Sequence, residues 1–485
     1  MTRATLARLT MGTVAVGSLG VLASSPLTVL NGGITTTYRT TGVTGQPLAF
    51  VVVMFVIGLL AVAYVAVGRH VRHGAPFYAQ LAQGTNPTLG LAAAGVTFVG
   101  YNALHISLYP VLGTTMAGLL GGPWWLWALL GGVAVFLLGQ YRGNIAAKVL
   151  GIALALELVV MMLFIAAGLT QPAGGAVSFA GFAPSSLLVP GMAASVIVFA
   201  VAAYAGIDTV LAFAEEAKTF RALAVGTGGA IAVCGVLYCL ASWAYSSWIG
   251  LDNLQTAAGQ DDSQPLTLLG TVYGPVIADL AMVLLGTSVL AAMSAFAAAD
   301  ARIVFNLSRE NVLPAWCGKV SEGSTGGAPL GGATVQAVTA AVVLALFMAA
   351  GADPMATIFT WLSTIGAVCV LVLLTAANWS ALTFFERGLG GTESVWIRQV
   401  FPFTGGIIGI FVVLFMVSSL SNLLGTPPGS ATPWLVAAPI ITAIIIATVT
   451  GLVLRRTRPD VYAQIGRGVP DGRTVQDHVL EGVEV

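Results

Sequence analysis

Charge is what this chain has least of. Only 8% of its 485 residues are Asp, Glu, Lys or Arg, about a third of the ~25% of a typical soluble domain. The 19 basic residues balance 19 acidic ones, so no strongly basic face or arm is available for nucleic acid, and a nucleic-acid partner is excluded. With 57% hydrophobic residues the chain is not disordered either. Cysteine is equally scarce. Cys234, Cys239, Cys317 and Cys369 form no CxxC pair, which excludes a disulfide scaffold and reads as small core residues. No spacing of His, Cys, Asp or Glu suits a metal, so no metal and no cofactor is expected.

What is present is apolar length. Mean hydropathy is +0.93, and a membrane-crossing helix needs about 20 apolar residues. Reading apolar runs against Gly and Pro breakers predicts an all-α polytopic membrane protein with twelve spans, its surroundings a lipid bilayer. They run over roughly 10–31, 48–68, 88–113, 124–140, 144–169, 188–213, 222–249, 275–305, 332–350, 356–380, 403–424 and 434–454. Spans four and five are separated only by Tyr141, Arg142 and Gly143. Arg3 and Arg8 precede a run without a convincing small-residue cleavage site, which reads as a retained first helix.

The few charges orient this map. With a cytoplasmic N-terminus, eighteen of the nineteen basic residues fall at or near the inner side, Arg39 being the exception. The longest outer loop, about 250–274, carries Asp252, Asp261 and Asp262 and no Lys or Arg. The positive-inside rule therefore places both termini in the cytoplasm, in an inner or plasma membrane. Residues 1–455 form the membrane body and 456–485 a flexible polar tail.

Two spans look broken. In span one, Gly17 and Gly20 are followed by Ser24, Ser25, Pro26, Leu27 and Thr28, where proline removes a helical donor and hydroxyls can take the freed carbonyls. In span six, Tyr204, Ala205, Gly206, Ile207 and Asp208 put a glycine and an acid inside an apolar run. Interrupted helices five spans apart point to a transporter midplane site. A channel would show a ring or filter of repeated polar residues. An intramembrane enzyme would need a nucleophile–base or metal constellation. Neither pattern is visible, and no enzyme is expected.

At these residues the chain resembles the amino acid–polyamine–organocation transporter superfamily, in particular its amino acid permeases, over about 8–455. Gly206, Ile207 and Asp208, followed by Ala214, Glu215, Glu216, Ala217 and Lys218, resemble the family's Gly-Phe-Glu and Glu-Glu-Ala-Lys/Arg. Asp300, Ala301 and Arg302, then Ser308 to Pro314, resemble its Arg and Arg-Asp/Glu-Gly-x-Leu-Pro after the eighth helix. The first helix departs from Gly-Ser-Gly-Ile-Phe, reading Ala23 to Thr28 as Ala-Ser-Ser-Pro-Leu-Thr, as in a divergent subgroup. The resemblance implies a five-plus-five inverted repeat (about 10–169 and 188–380) with two extra helices (about 403–454). It implies an amino acid, polyamine or related amine as substrate, bound between the broken helices. Coupling in the family is to protons, to sodium or to exchange.

Half-helix N-termini suit a carboxylate and half-helix C-termini an ammonium. The backbone near Ser24, Ser25 and Leu27, with the Thr28 hydroxyl, is the candidate carboxylate site. Carbonyls near Ala202, Ala203 and Tyr204 are the candidate ammonium site, with Tyr101 and Gly206 lining it. Asp208 binds the ammonium, holds the gate, or braces the break by hydrogen bonding. Glu157, stranded among leucines and valines where the family often has a Lys, is the candidate proton-coupling carboxyl. Glu215, Glu216, Arg302 and Arg309 are candidate partners in an inner gate. His105 reads as packing or hydrogen bonding and Lys148 as interfacial. The leading expectation is a proton-coupled carrier of an amino acid or amine, monomeric or weakly dimeric. The alternative is an ion-independent exchanger.

Overall fold

The computed structural model describes residues 11–468, apart from 141–143, 215–216, 261–263, 322–327, 392 and 428; the side chains of 144–150 and 213 are also outside the description. Among the described residues there is no strand, only an isolated bridge between Met11 and Ala217. Twelve helices fall on the twelve apolar runs. They are α1 (Thr13–Thr41), α2 (Gln46–His70), α3 (Pro87–Leu120), α4 (Trp124–Leu138), α5 (Asn144–Thr170), α6 (Ala193–Ala212), α7 (Phe220–Ile249), α8 (Pro275–Arg309), α9 (Leu330–Ala349), α10 (Pro354–Glu386), α11 (Trp396–Ser418) and α12 (Thr432–Thr457).

Eleven of these are long and apolar enough to cross a bilayer, and α4 is the shorter one. Its 15 residues rise about 22 Å, against a hydrocarbon core of about 30 Å. Its start is set by Gly121 and Gly122, both at positive φ, and by Pro123. The tight turn expected at Tyr141–Gly143 lies outside the described residues.

α1 runs ten residues past its expected end. The polar stretch from Asn31 to Thr41 reads as an exit from the membrane, yet it stays helical and largely buried. Its hydroxyls bond back to the helix: Thr35 Oγ1 donates to the Asn31 carbonyl (2.5 Å), Thr37 to Gly33 (2.7 Å) and Thr41 to Thr37 (2.7 Å). Side chains that satisfy themselves on the preceding turn cost little in an apolar setting.

α3 runs through the middle of the bundle, packed on α8, α10 and α12, while α1 lies along α7 and α7 along α2. Burial separates a core from a periphery: 89% of the apolar window of α6 is buried, against 11% of that of α12. The apolar outer face of α12 is what lipid requires. Among its described residues the 250–274 segment holds a 3₁₀ turn, Leu251–Asn253, and two short α-helices, Leu254–Ala258 and Gln264–Tyr273, the latter packed on α8.

The polar tail expected from 456 begins as packed structure. A short helix, Pro459–Gln464, follows α12, with Val461 and Ile465 buried. Residues 469–485 lie outside the description.

Candidate functional site

The break in α1 is at Ser25, whose backbone is left-handed (φ 50°, ψ 74°). Pro26 then starts a new helical segment with no amide hydrogen of its own to satisfy. The Leu27 amide is left pointing out of the helix end. It is met by Glu157 from α5, whose Oε1 accepts the Leu27 N–H at 2.9 Å. The same oxygen accepts from Ser288 Oγ of α8 at 2.5 Å. Ser288 bonds Ser25 (2.7 Å), and Ser25 bonds Thr28 (2.6 Å). Thus α5 and α8 close on the break in α1 through one carboxyl and three hydroxyls, all buried.

The break in α6 falls at Ala205 and Gly206. Ala205 turns extended (φ −61°, ψ 139°), and Gly206 lies at φ 103°, a region that only glycine enters freely. A Cβ at Gly206 would stand 2.5 Å from the Ala23 carbonyl oxygen, so the two breaks touch backbone to backbone. A tight 3₁₀ segment, Ile207–Phe213, continues the chain. Asp208 braces the break: its Oδ1 accepts the Gly206 N–H (3.0 Å) and its Oδ2 accepts the Tyr101 hydroxyl of α3 (2.5 Å).

The carbonyls expected to face an ammonium already have partners. Ala202 accepts the Ala205 amide at 3.1 Å, and Ala203 accepts Ser24 Oγ at 2.7 Å. Because Ser24 directs its hydrogen to Ala203, the Tyr238 hydroxyl that also contacts Ser24 is the donor to it. Tyr204 lines a small cavity with Tyr64, Asp208 and Thr227, and its hydroxyl donates to the Phe50 carbonyl (2.9 Å). The residues singled out in α1, α3 and α6, together with Glu157, therefore gather around the two breaks. Each carbonyl keeps a second lone pair for a ligand.

The two arginines named for the inner gate lie on the last third of α8. Glu215 and Glu216 lie outside the described residues. Arg302 is buried, with Nη1 donating to the Ala298 carbonyl (3.2 Å). Arg309 places its guanidinium over the Phe305 ring, 5.3 Å from the centroid. Asp300 bonds Asn102 of α3 (Nδ2 to Oδ2, 2.7 Å). His105 donates from Nδ1 to the Met293 carbonyl (2.9 Å) and accepts the Tyr109 hydroxyl at Nε2 (3.1 Å), the bonding role read from its sequence position.

The hub of this end is Glu310. It accepts from Tyr78, from His73 Nε2 (3.1 Å), and from the amides of Gly466 (2.8 Å) and Gly468 (2.9 Å). The Ala75 amide donates to His73 Nδ1 (3.0 Å), so Nε2 carries the hydrogen. Burial pushes the Glu310 carboxyl up, but the bonds from His73, Tyr78 and Gly466 outweigh it, leaving the carboxyl below its ordinary range. Residues 466–468 are thereby pinned to the bundle.

Sequence reasoning missed Ser288, Tyr238, Asn102 and the role of Glu310. A lone serine or asparagine in an apolar run is a weak signal, and each acquires meaning only from its partner on another helix.

The family model for amino acid permeases matches residues 5–460. The chain belongs to the amino acid permease family. It is accordingly a multi-pass membrane protein of the amino acid–polyamine–organocation superfamily, a family of small-molecule transporters. No curated protein matches it.

Proposed function

We propose that this permease carries an amino acid or related amine across the plasma membrane by alternating access around the paired breaks, coupled to protons through Glu157. Both termini are cytoplasmic in this reading, on the distribution of basic residues. The reading includes a five-plus-five repeat, which the breaks in the first and sixth spans support.

The observation that carries the proposal is the contact between Glu157 and the Leu27 amide. A free amide at the start of a half-helix attracts a substrate carboxylate. Here a carboxyl of the protein already sits on it. An ionised Glu157 repels a second carboxylate; a protonated Glu157 does not. Proton binding and carboxylate binding thus favour one another, the requirement for symport. The ammonium faces the carbonyls at Ala202–Tyr204, with Asp208 behind them. Around Glu157, the titratable groups contributed by α7 are Cys234 and Tyr238. On α8 the nearest acids, Asp279 and Asp300, lie nine and twelve residues from Ser288, roughly 13–18 Å along the helix.

The test is uptake by proteoliposomes of a panel of labelled amino acids and amines, with and without an imposed pH gradient. Concentrative uptake driven by the gradient, abolished by Glu157→Gln, is the expected result. Counterflow indifferent to pH selects the exchanger. Saturable uptake of no panel member overturns the transport reading.

A further inference from the structure

A second buried carboxyl sits where the coupling scheme above makes no use of it. Asp300 of α8 is fully buried and faces Asn102 of α3, itself buried. Asn102 Nδ2 donates one hydrogen to Asp300 Oδ2 (2.7 Å) and the other to the Phe98 carbonyl (3.0 Å). Two atoms are left over. Asp300 Oδ1 and Asn102 Oδ1 are both buried acceptors, and neither has a hydrogen-bond donor among the described residues.

The polar and packing groups around the pair among the described residues are these. Tyr101, next in sequence to Asn102, directs its hydroxyl to Asp208 of α6. Arg302, two residues beyond Asp300, directs Nη1 to Ala298. His105, one turn from Tyr101, bonds Met293 and Tyr109. From α10, the thiol-bearing Cys369 packs on Gly100, and from α9, Gly332 packs on Ala301. A metal cation would require several more oxygens than this apolar pocket presents. An ionised carboxylate with one donor in such a place is very costly.

We infer that Asp300 binds a proton on Oδ1 and pairs with Asn102 as a carboxylic acid with a carboxamide. The acid O–H donates to Asn102 Oδ1 while the amide N–H donates to Asp300 Oδ2. One proton satisfies both unpartnered atoms. The pair ties α3 to α8, and its protonation state is tied to that contact: an ionised Asp300 has no hydrogen to offer Asn102 Oδ1. This site is separate from Glu157 and does not rest on the transport reading.

Infrared spectroscopy of the purified full-length chain, reconstituted in lipid at neutral pH, tests it directly. The wild-type minus Asp300→Asn difference spectrum is expected to show the carbonyl-stretch band of a protonated carboxylic acid. Asn at position 300 replaces the acid O–H by an amide N–H, so the paired geometry survives. As a second measurement, protein labelled with carbon-13 at the aspartate carboxyl is compared with the same label in Asn102→Leu. Loss of the amide donor moves the acid band to higher frequency, and no other aspartate responds. Carboxylate bands in the difference spectrum, or a labelled acid band indifferent to Asn102→Leu, overturn the assignment.

Discussion

The Leu27 amide and the Glu157 carboxylate meet at 2.9 Å although 130 residues separate them in the chain. The contact joins the helix end at Pro26 to Glu157, the single acid in the sequence of the fifth span, and Ser288 completes it from the eighth. Removing the acid leaves a buried backbone donor without a partner. Glu157→Leu is therefore expected to cost about 1–3 kcal/mol of stability, whereas Glu157→Gln keeps an acceptor oxygen and costs less than half as much. Thermal unfolding of both variants, followed by tryptophan fluorescence in detergent, checks the order; equal losses contradict it.

Proton linkage predicts a pH dependence of a particular shape. If one proton on Glu157 accompanies one substrate carboxylate, the apparent Kd for an amino acid falls with falling pH by at most tenfold per unit. An amine with the same side chain and no carboxylate shows no such slope. Binding of matched acid–amine pairs to the chain in nanodiscs, from pH 5 to 8, reads both. A Glu157→Gln variant that keeps the slope assigns the proton elsewhere.

At the other break, Gly206→Ala introduces a Cβ 2.5 Å from the Ala23 carbonyl at a φ of 103°. Backbone cannot yield as a flexible side chain does, so a loss of about 1–3 kcal/mol is expected from the strained conformation alone, with transport lost as the breaks part. Gly58→Ala on α2, where nothing lies within 4 Å of the added carbon, is the control and leaves stability unchanged or raised. Thermal unfolding and uptake are measured together.

Tyr101→Phe removes one of the two donors on Asp208 and leaves the Gly206 amide in place. A destabilisation of about 1–3 kcal/mol is expected. Asp208→Ala orphans both donors and costs more than Tyr101→Phe. The reverse order would show that the tyrosine acts through something other than the acid.

The pinned tail has its own pH signature. The Glu310 carboxyl titrates below its ordinary value, so its contribution is fully present above about pH 4.3 and is lost as pH falls through the lowered value. The stability difference between wild type and Glu310→Gln, clear at pH 7, should vanish on acidification below that range. At neutral pH the variant should also be cut faster by trypsin after Arg467, because the Gly466 and Gly468 amides lose their charged acceptor. Cleavage at the wild-type rate would mean that the tail is held by Val461 and Ile465 alone.

How much of this was legible beforehand follows from the range of each interaction. Crossing a membrane requires some twenty consecutive apolar residues, a local property, and all twelve runs fold as helices. Pro26 and Gly206 announce their breaks locally too, through a missing donor and a missing Cβ. The end of α1 was misread because threonines that look like an exit satisfy themselves one turn back, at Asn31, Gly33 and Thr37. The packing of residues 459–468 has no local signal because Glu310 holds Gly466 across 156 residues.

The chain alone determined the helices, their number, the two breaks and the presence of acids in apolar surroundings, because burial in lipid makes each of these a matter of composition over one span. Only the tertiary structure decided the partners. Glu157 rests on Leu27 and Ser288, Asp208 on Tyr101, and Asp300 on Asn102. A buried acid must find a donor, but which helix brings it depends on how the spans pack against one another, and no stretch of twenty residues contains that information.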